Sequence, residues 1–328
     1  MVVALALGVA APLDVVVFGL LAVGMLHVVL EVRHVSGRYR HVLHGRFLVA
    51  VNLVLVAIVA GRLLVPGALP RRFEILVMLA ILAATVVLAR SWVVRGVGLA
   101  VLVAVGAFAL QAPDTWFVLQ ANLHNLLPAV FLWEWSATLD DRRARRALRA
   151  TTLLWAVAVP ALLLSGALNG LLSSGSTAAA GPGATVRPAV LLVADGALAA
   201  RLLAVYAFAQ VMHYAIWCWF FPRHAPEATA AFEATPVGAR LRGGRLLALA
   251  AALTVAIALV AWRDYGDGRT LYTSLATYHA YLEFPVLVAL VMAWTAGATR
   301  GSPSGAGSPS PAGGADRGSG PTPAWMEP

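Results

Sequence analysis

The chain has 328 residues, is 60% hydrophobic and only 12% charged, and has a mean hydropathy of +0.81. Soluble domains are usually about 45–50% apolar and about 25% charged, so composition excludes an ordinary soluble domain and indicates an all-α, polytopic membrane helical bundle. The net charge of +9 comes from arginines clustered in short loops between apolar runs, where they act as topology signals and anionic-lipid contacts and give no reason to invoke nucleic acid. The single cysteine, Cys218, excludes an intrachain disulfide and any cysteine-based zinc or iron–sulfur site.

The opening "MVVALALGVAAPLD" lacks a charged n-region and reads as a lead-in to the first span, not a cleavable signal. A spanning helix needs about 20 apolar residues. Nine candidates follow, near residues 12–33, 46–66, 72–89, 92–110, 115–138, 151–172, 197–222, 245–263 and 272–296. The third and fourth are short, so the expectation is eight or nine transmembrane helices in a domain of residues 1–299. The stretch 173–190 has the composition of a flexible external loop. Residues 300–328, rich in Gly, Ser and Pro, cannot bury a core and are expected to form a disordered cytoplasmic tail.

Orientation follows from arginine asymmetry. With the N-terminus outside, the inner loops hold Arg33, Arg38, Arg40, Arg46, Arg90 and Arg95, then the Arg142–Arg149 cluster, then Arg223, Arg240, Arg242 and Arg245. The outer loops and helix ends hold fewer: Arg62, Arg71, Arg72, Arg187, Arg201, Arg263 and Arg269. The expected location is the bacterial cytoplasmic membrane, with the C-terminus cytoplasmic.

Four of the eight histidines, His34, His41, His44 and His224, fall in a loop or at a helix end and are expected to be interfacial or solvated. The others fall inside spans, in "MLHVVLE", "ANLHNLLP", "QVMHYAIW" and "TYHAYLE": His27, His124, His213 and His279, each on a separate helix. Ionisable groups at such depth are costly and usually face the bundle interior. Four neutral imidazoles form a plausible metal shell, because imidazole suits iron, copper and zinc. Glu31 and Glu283 stand four residues after His27 and His279, one turn on along the same face. Each can ligate a metal or accept the free ring N–H of a ligating histidine. Against a shared site stands a spread in depth on the order of 14 Å, counted along ideal spans. Glu134 reads as interfacial, near the arginine cluster. Gln120, Asn122, Asn125 and Gln210 add polar groups that can support the histidines or join helices. Trp217, Trp219, Phe220 and Phe221 after His213, and Tyr278, Tyr281 and Phe284 around His279, are either an interfacial belt or the wall of a site for a long apolar substrate.

The order "HVVLE", "LHNLLP", "MHYAIWCW", "HAYLE" resembles the membrane-integral β-carotene 15,15′-dioxygenases of the Brp/Blh type. Those carry a histidine with an acidic residue four positions on in the first helix, a histidine in a middle helix, a His-x-x-x-His pair and a final His-x-x-x-Asp. The resemblance implies a non-haem iron held by His27, His124 and His213, with O₂-dependent cleavage of a carotenoid. Here glutamate stands for aspartate at Glu31 and Glu283, and Trp217 takes the place of the second histidine of the pair, whose role His279 can supply. The expected function is therefore a membrane-integral non-haem iron (Fe²⁺) oxygenase, an oxidoreductase acting on an apolar substrate dissolved in the lipid bilayer. His27, His124, His213 and His279 are its expected metal ligands, and Glu31 and Glu283 its expected catalytic carboxylates. The alternatives are a haem-b electron-transfer protein with paired axial histidines and a proton-coupled transporter using the buried His and Glu residues.

The arginine bias makes one direct prediction. A cysteine introduced at Gly183 reacts with an impermeant thiol reagent added outside intact cells, and one introduced at Ala144 does not. The reverse labelling pattern inverts the orientation.

Overall fold

The computed structural model describes residues 1–64, 71–89, 91–172 and 196–300. The stretch 173–190 and the tail from residue 301 lie outside the described residues. All described elements are helical, as a lipid environment requires of chains that must satisfy their backbone polar groups internally.

In chain order they are α1 (Val2–Ala10), α2 (Pro12–Ala22), α3 (Gly24–Arg38), α4 (Gly45–Leu64), α5 (Arg71–Val87), α6 (Trp92–Gln111), α7 (Pro113–His124), α8 (Leu127–Trp135) and α9 (Arg142–Leu153). A π-helical turn, Leu154–Ala158, joins α9 to α10 (Val159–Ser165). Then come α11 (Gly196–Ala215), a second π turn (Ile216–Phe220), α12 (Phe221–His224), α13 (Pro226–Glu233), α14 (Pro236–Leu241), α15 (Gly244–Arg263) and α16 (Tyr265–Arg300).

Among the described residues, six helical stretches are long and apolar enough to cross a membrane: α4, α6, Arg142–Ser165, Gly196–His224, α15 and α16 as far as Trp294. Three candidate spans take another form. The lead-in folds as α1 and meets α2 at a bend of 115°, and together these two count as a seventh candidate. The stretch 12–33 is divided between α2 and α3, and the stretch 115–138 between α7 and α8. The stretch 72–89 is the 17-residue α5. Prolines mark the α1–α2 bend, the start of α7 and the α7–α8 break, whereas α2 gives way to α3 at Val23 without one. Pro12 and Pro113 occupy the first turns of α2 and α7, where a missing N–H costs nothing. Pro128, in the first turn of α8, has no N–H for the carbonyl of His124 four residues back, so α7 ends at that histidine.

The bundle is ordered around two helices. Within their most apolar windows, the Gly196–His224 stretch is 56% buried and α16 is 44% buried, against 11–22% for the other four. The outer helices turn most of their surface to lipid. At the arginine-rich end, α3 lies so close to α13 that a Cβ on Gly37 would stand 1.9 Å from the Ala228 carbonyl oxygen. There Arg38 grips Glu134 with two hydrogen bonds of 3.0 and 2.9 Å, and the Tyr39 hydroxyl donates to the same carboxylate at 3.0 Å. Glu134 is thus held at that end by Arg38 of α3, near the arginine cluster.

A second ionic contact lies deeper. Arg62 of α4 donates to both oxygens of Glu74 of α5, at 3.0 and 2.6 Å, and to Thr277 Oγ1 of α16 at 2.6 Å. The Tyr281 hydroxyl donates to the same Glu74. Arg62 is therefore more than a marker of topology. Breaking a buried pair strands the remaining charge at about 3–5 kcal/mol, whereas an exposed pair contributes about 0–1 kcal/mol. Glu74 is 4% exposed, while in the Arg71–Asp114 pair both side chains are more than half exposed. Glu74→Ala therefore lowers the unfolding free energy in detergent by about 3–5 kcal/mol. Asp114→Ala changes it by less than about 1 kcal/mol, and similar losses in the two variants would contradict this ranking.

Candidate metal centre

The structure brings the six singled-out residues together from four helices. His27 and Glu31 come from α3, His124 from the end of α7, His213 from α11, and His279 and Glu283 from α16. One donor atom from each of His27, Glu31, His124, His213 and His279 can be chosen so that all five lie within 4.8 Å of one another. The four histidines meet despite the spread in depth counted along ideal spans, with His27 and His124 carried on the short helices α3 and α7.

The four imidazoles form a closed ring of contacts. His27 meets His213 and His279 at centroid distances of 5.1 Å each, while His124 meets His213 at 4.7 Å and His279 at 4.9 Å. His124 Nε2 and His279 Nε2 are 3.0 Å apart. Glu31 Oε2 stands 3.4 Å from His213 Nε2 and 3.9 Å from His279 Nε2. Each carboxylate thus reaches the cluster one turn after its own histidine, but approaches imidazoles of other helices. Glu283 Oε2 lies 2.9 Å from His124 Nδ1, off the line of the ring N–H. The two carboxylates also interact with each other.

These spacings suit a single ion. With bonds of about 2.1 Å, adjacent donors on one metal stand roughly 3.0–3.4 Å apart and opposite donors roughly 4.2 Å apart. The spacings of 3.0, 3.4 and 3.9 Å fall within these limits, and the widest separation, up to 4.8 Å, exceeds the opposite-donor distance by about 0.6 Å. Burial decides whether the group can stand alone. His213 and Glu283 are 0% exposed, Glu31 is 1%, and His27 and His279 are 2%. Nine ring nitrogens and carboxylate oxygens of these six residues have no hydrogen-bond partner. Leaving such a buried atom without a partner costs about 1–3 kcal/mol. A cation held by these residues would take up the lone pairs of some of them, Glu31 Oε2 and His213 Nε2 among them.

Surrounding groups fix the rings. The Tyr214 ring packs on His27 at 4.4 Å, and its hydroxyl accepts a 2.8 Å hydrogen bond from Gln210 Nε2. The His124 carbonyl, left without an N–H by Pro128, stands beside the His213 ring. Trp217, four residues after His213 and in a π turn over Ile216–Phe220, is fully buried, which agrees with the wall reading of its group and not the belt. His34, expected to be solvated, is 5% exposed and packs on Phe221 at 4.1 Å and on Trp217 at 5.5 Å. It lies seven residues after His27, on the same face of α3, and that spacing was the signal for its burial. Asn122 bonds the Val118 carbonyl of its own helix. Sequence reasoning missed the Arg62–Glu74 pair, although two opposite charges at facing ends of successive apolar runs were its mark.

The donor set predicts stabilisation by metal. At one hundred times its Kd a divalent ion adds about 2.7 kcal/mol to the folded state. Chelator therefore lowers the melting temperature of the purified chain and Fe²⁺ restores it. His27→Ala and His279→Ala abolish that response, whereas the exposed loop variant His44→Ala keeps it. An equal response in all three variants would refute the site.

No family model, curated protein or solved structure matches the chain.

Proposed function

We propose that the chain is a membrane-integral, non-haem iron oxygenase acting on a long apolar lipid. One observation carries this reading. Four imidazoles and two carboxylates from four helices meet in a single buried group, at separations that suit one ion. His27, His124, His213, His279 and Glu31 would hold the ion. Glu283 would orient His124 through Nδ1, the role carboxylates commonly play toward ligating histidines. Iron bound there supplies the O₂ chemistry. With Glu31 and Glu283 ionised, a divalent ion makes the group electrically neutral, the arrangement a low-dielectric interior tolerates best.

The surroundings support an apolar substrate. The His124 side chain keeps 14% of its surface accessible, and its neighbour Leu123 is 56% exposed on the outside of the bundle. The break between α7 and α8 is thus the side from which a bilayer-dissolved molecule can approach. The tight contact of the four rings supports an ion over a haem macrocycle, which needs its axial histidines apart on opposite faces. By resemblance, a carotenoid is the first substrate to test. We further propose nine spans, adding α2 with α3, α5, and α7 with α8 to the six long helices. This places the N-terminus outside and the C-terminus in the cytoplasm of a bacterial cell.

Expression in carotenoid-producing bacteria tests substrate and chemistry together. Iron-dependent conversion of the carotenoid is the expected result, with loss of colour and retinal marking cleavage and a coloured hydroxylated product marking hydroxylation, and His213→Ala abolishes it. Persistent colour with iron bound excludes carotene cleavage, and without a hydroxylated product it directs the search to other lipids. Persistent colour without iron excludes the oxygenase.

A further inference from the structure

An unbroken series of ring contacts leads from His213 to the arginine-rich end of the bundle. The Trp217 ring lies 6.4 Å from His213 and 4.9 Å from Phe221. Phe221 meets Phe220 at 5.5 Å, Phe220 meets His224 at 4.7 Å, and His224 meets Trp219 at 6.2 Å. Trp217 is 0% exposed, whereas Trp219 is 53% exposed and carries the Arg223 guanidinium 4.8 Å above its ring. The series starts on a residue of the metal centre and ends on an exposed indole.

Packing alone does not select tryptophan at its buried end. The Trp217 indole N–H has no hydrogen-bond partner, a cost of about 1–3 kcal/mol that phenylalanine or leucine would not incur. The π turn over Ile216–Phe220 places Trp217 inward and Trp219 outward, and such turns are frequent at functional sites. The end reached by the series is strongly basic. Segments 33–46, 134–149 and 223–245 hold 13 arginines against five carboxylates. The Arg38 ion pairs with Glu134 and Glu227 tie these segments together at that end.

We propose that these rings form an electron-transfer route to the metal centre, fed by a soluble one-electron carrier whose acidic face docks around Trp219 and Arg223. This rests on the iron-oxygenase reading and narrows its chemistry. Cleavage of a carbon–carbon double bond by O₂ into two carbonyls consumes no external electrons. Hydroxylation of a lipid C–H bond does: one oxygen atom enters the bond and the other leaves as water. The balance takes two electrons, supplied by two carrier molecules, and two protons from solvent. A dedicated route for electrons therefore points to a reductant-consuming oxidation of the lipid.

The test uses the full chain in detergent, loaded with iron and oxidised, with reduced plant-type [2Fe–2S] ferredoxin as the acidic carrier. Decay of the ferric EPR signal reports electron arrival, and metal analysis reports occupancy. Reduction should slow as salt rises, because screening weakens exposed charge pairs. The surface double variant Trp219→Ala/Arg223→Glu should slow reduction by about tenfold or more and remove most of the salt dependence. A small neutral reductant should reduce that variant as fast as the unaltered chain. Trp217→Leu should slow reduction by ferredoxin to a similar extent with iron content unchanged. If it loses iron, Trp217→Phe replaces it and the surface double variant decides. Equal rates in the unaltered chain and the surface variant, with iron bound in both, overturn the route and leave the metal centre standing. Failure of the unaltered chain to bind iron overturns both.

Discussion

The structure depends on how a bilayer-embedded bundle carries two carboxylates and four imidazoles in its interior. Each of these groups is costly to remove from water, and an ionised carboxylate without a partner is far costlier than a neutral ring. Glu31 and Glu283 are fully enclosed and turn their oxygens toward imidazole nitrogens that have no other partner. A divalent cation held there would take up lone pairs of the cluster and cancel both charges. In this account the centre acts as a joint between α3, α7, α11 and α16 as well as a place for chemistry.

The frame around the joint is built to bring short helices to one level. Proline does much of this. Pro12 and Pro113 begin helices in mid-bundle, and Pro128 ends α7 at its histidine while leaving the His124 carbonyl free beside His213. The Arg62–Glu74–Tyr281 network anchors α16 two residues beyond His279, and the Arg38–Glu134 grip closes the opposite end. These contacts lie on different sides of the centre, so they limit the sliding of α3 and α16, the two helices that each carry two of its residues.

Much of this was legible in the sequence, for identifiable reasons. Histidine and glutamate four residues apart in an apolar run can only share a helical face, and in lipid that face turns inward. The inward placing of His27 and His279 followed from that rule, and His124 and His213 joined them because each falls inside an apolar run. Which imidazole each carboxylate would meet was not legible, because it depends on how helices pack and not on spacing within one of them. Span counting also reached its limit at the prolines: a run of apolar residues looks continuous across Pro12 or Pro128, although the backbone breaks there. Arg62 read as a loop charge because its partner, Glu74, lies on the next helix. Trp217 was left between an interfacial belt and a substrate wall because aromatic residues suit both, although its place four residues after His213 puts it on that histidine's face.

The central claim is that one metal ion is held by the buried histidines. X-ray absorption at the iron edge of the purified chain tests it most directly. The account predicts a first shell of five or more nitrogen and oxygen atoms at about 2.1 Å, with the outer-shell scattering typical of several imidazoles. Binding should be one ion per chain, and His279→Ala should lose one imidazole from the shell or lose the ion. A shell without imidazole scattering, or a chain that carries no metal and is equally stable in chelator, would contradict it.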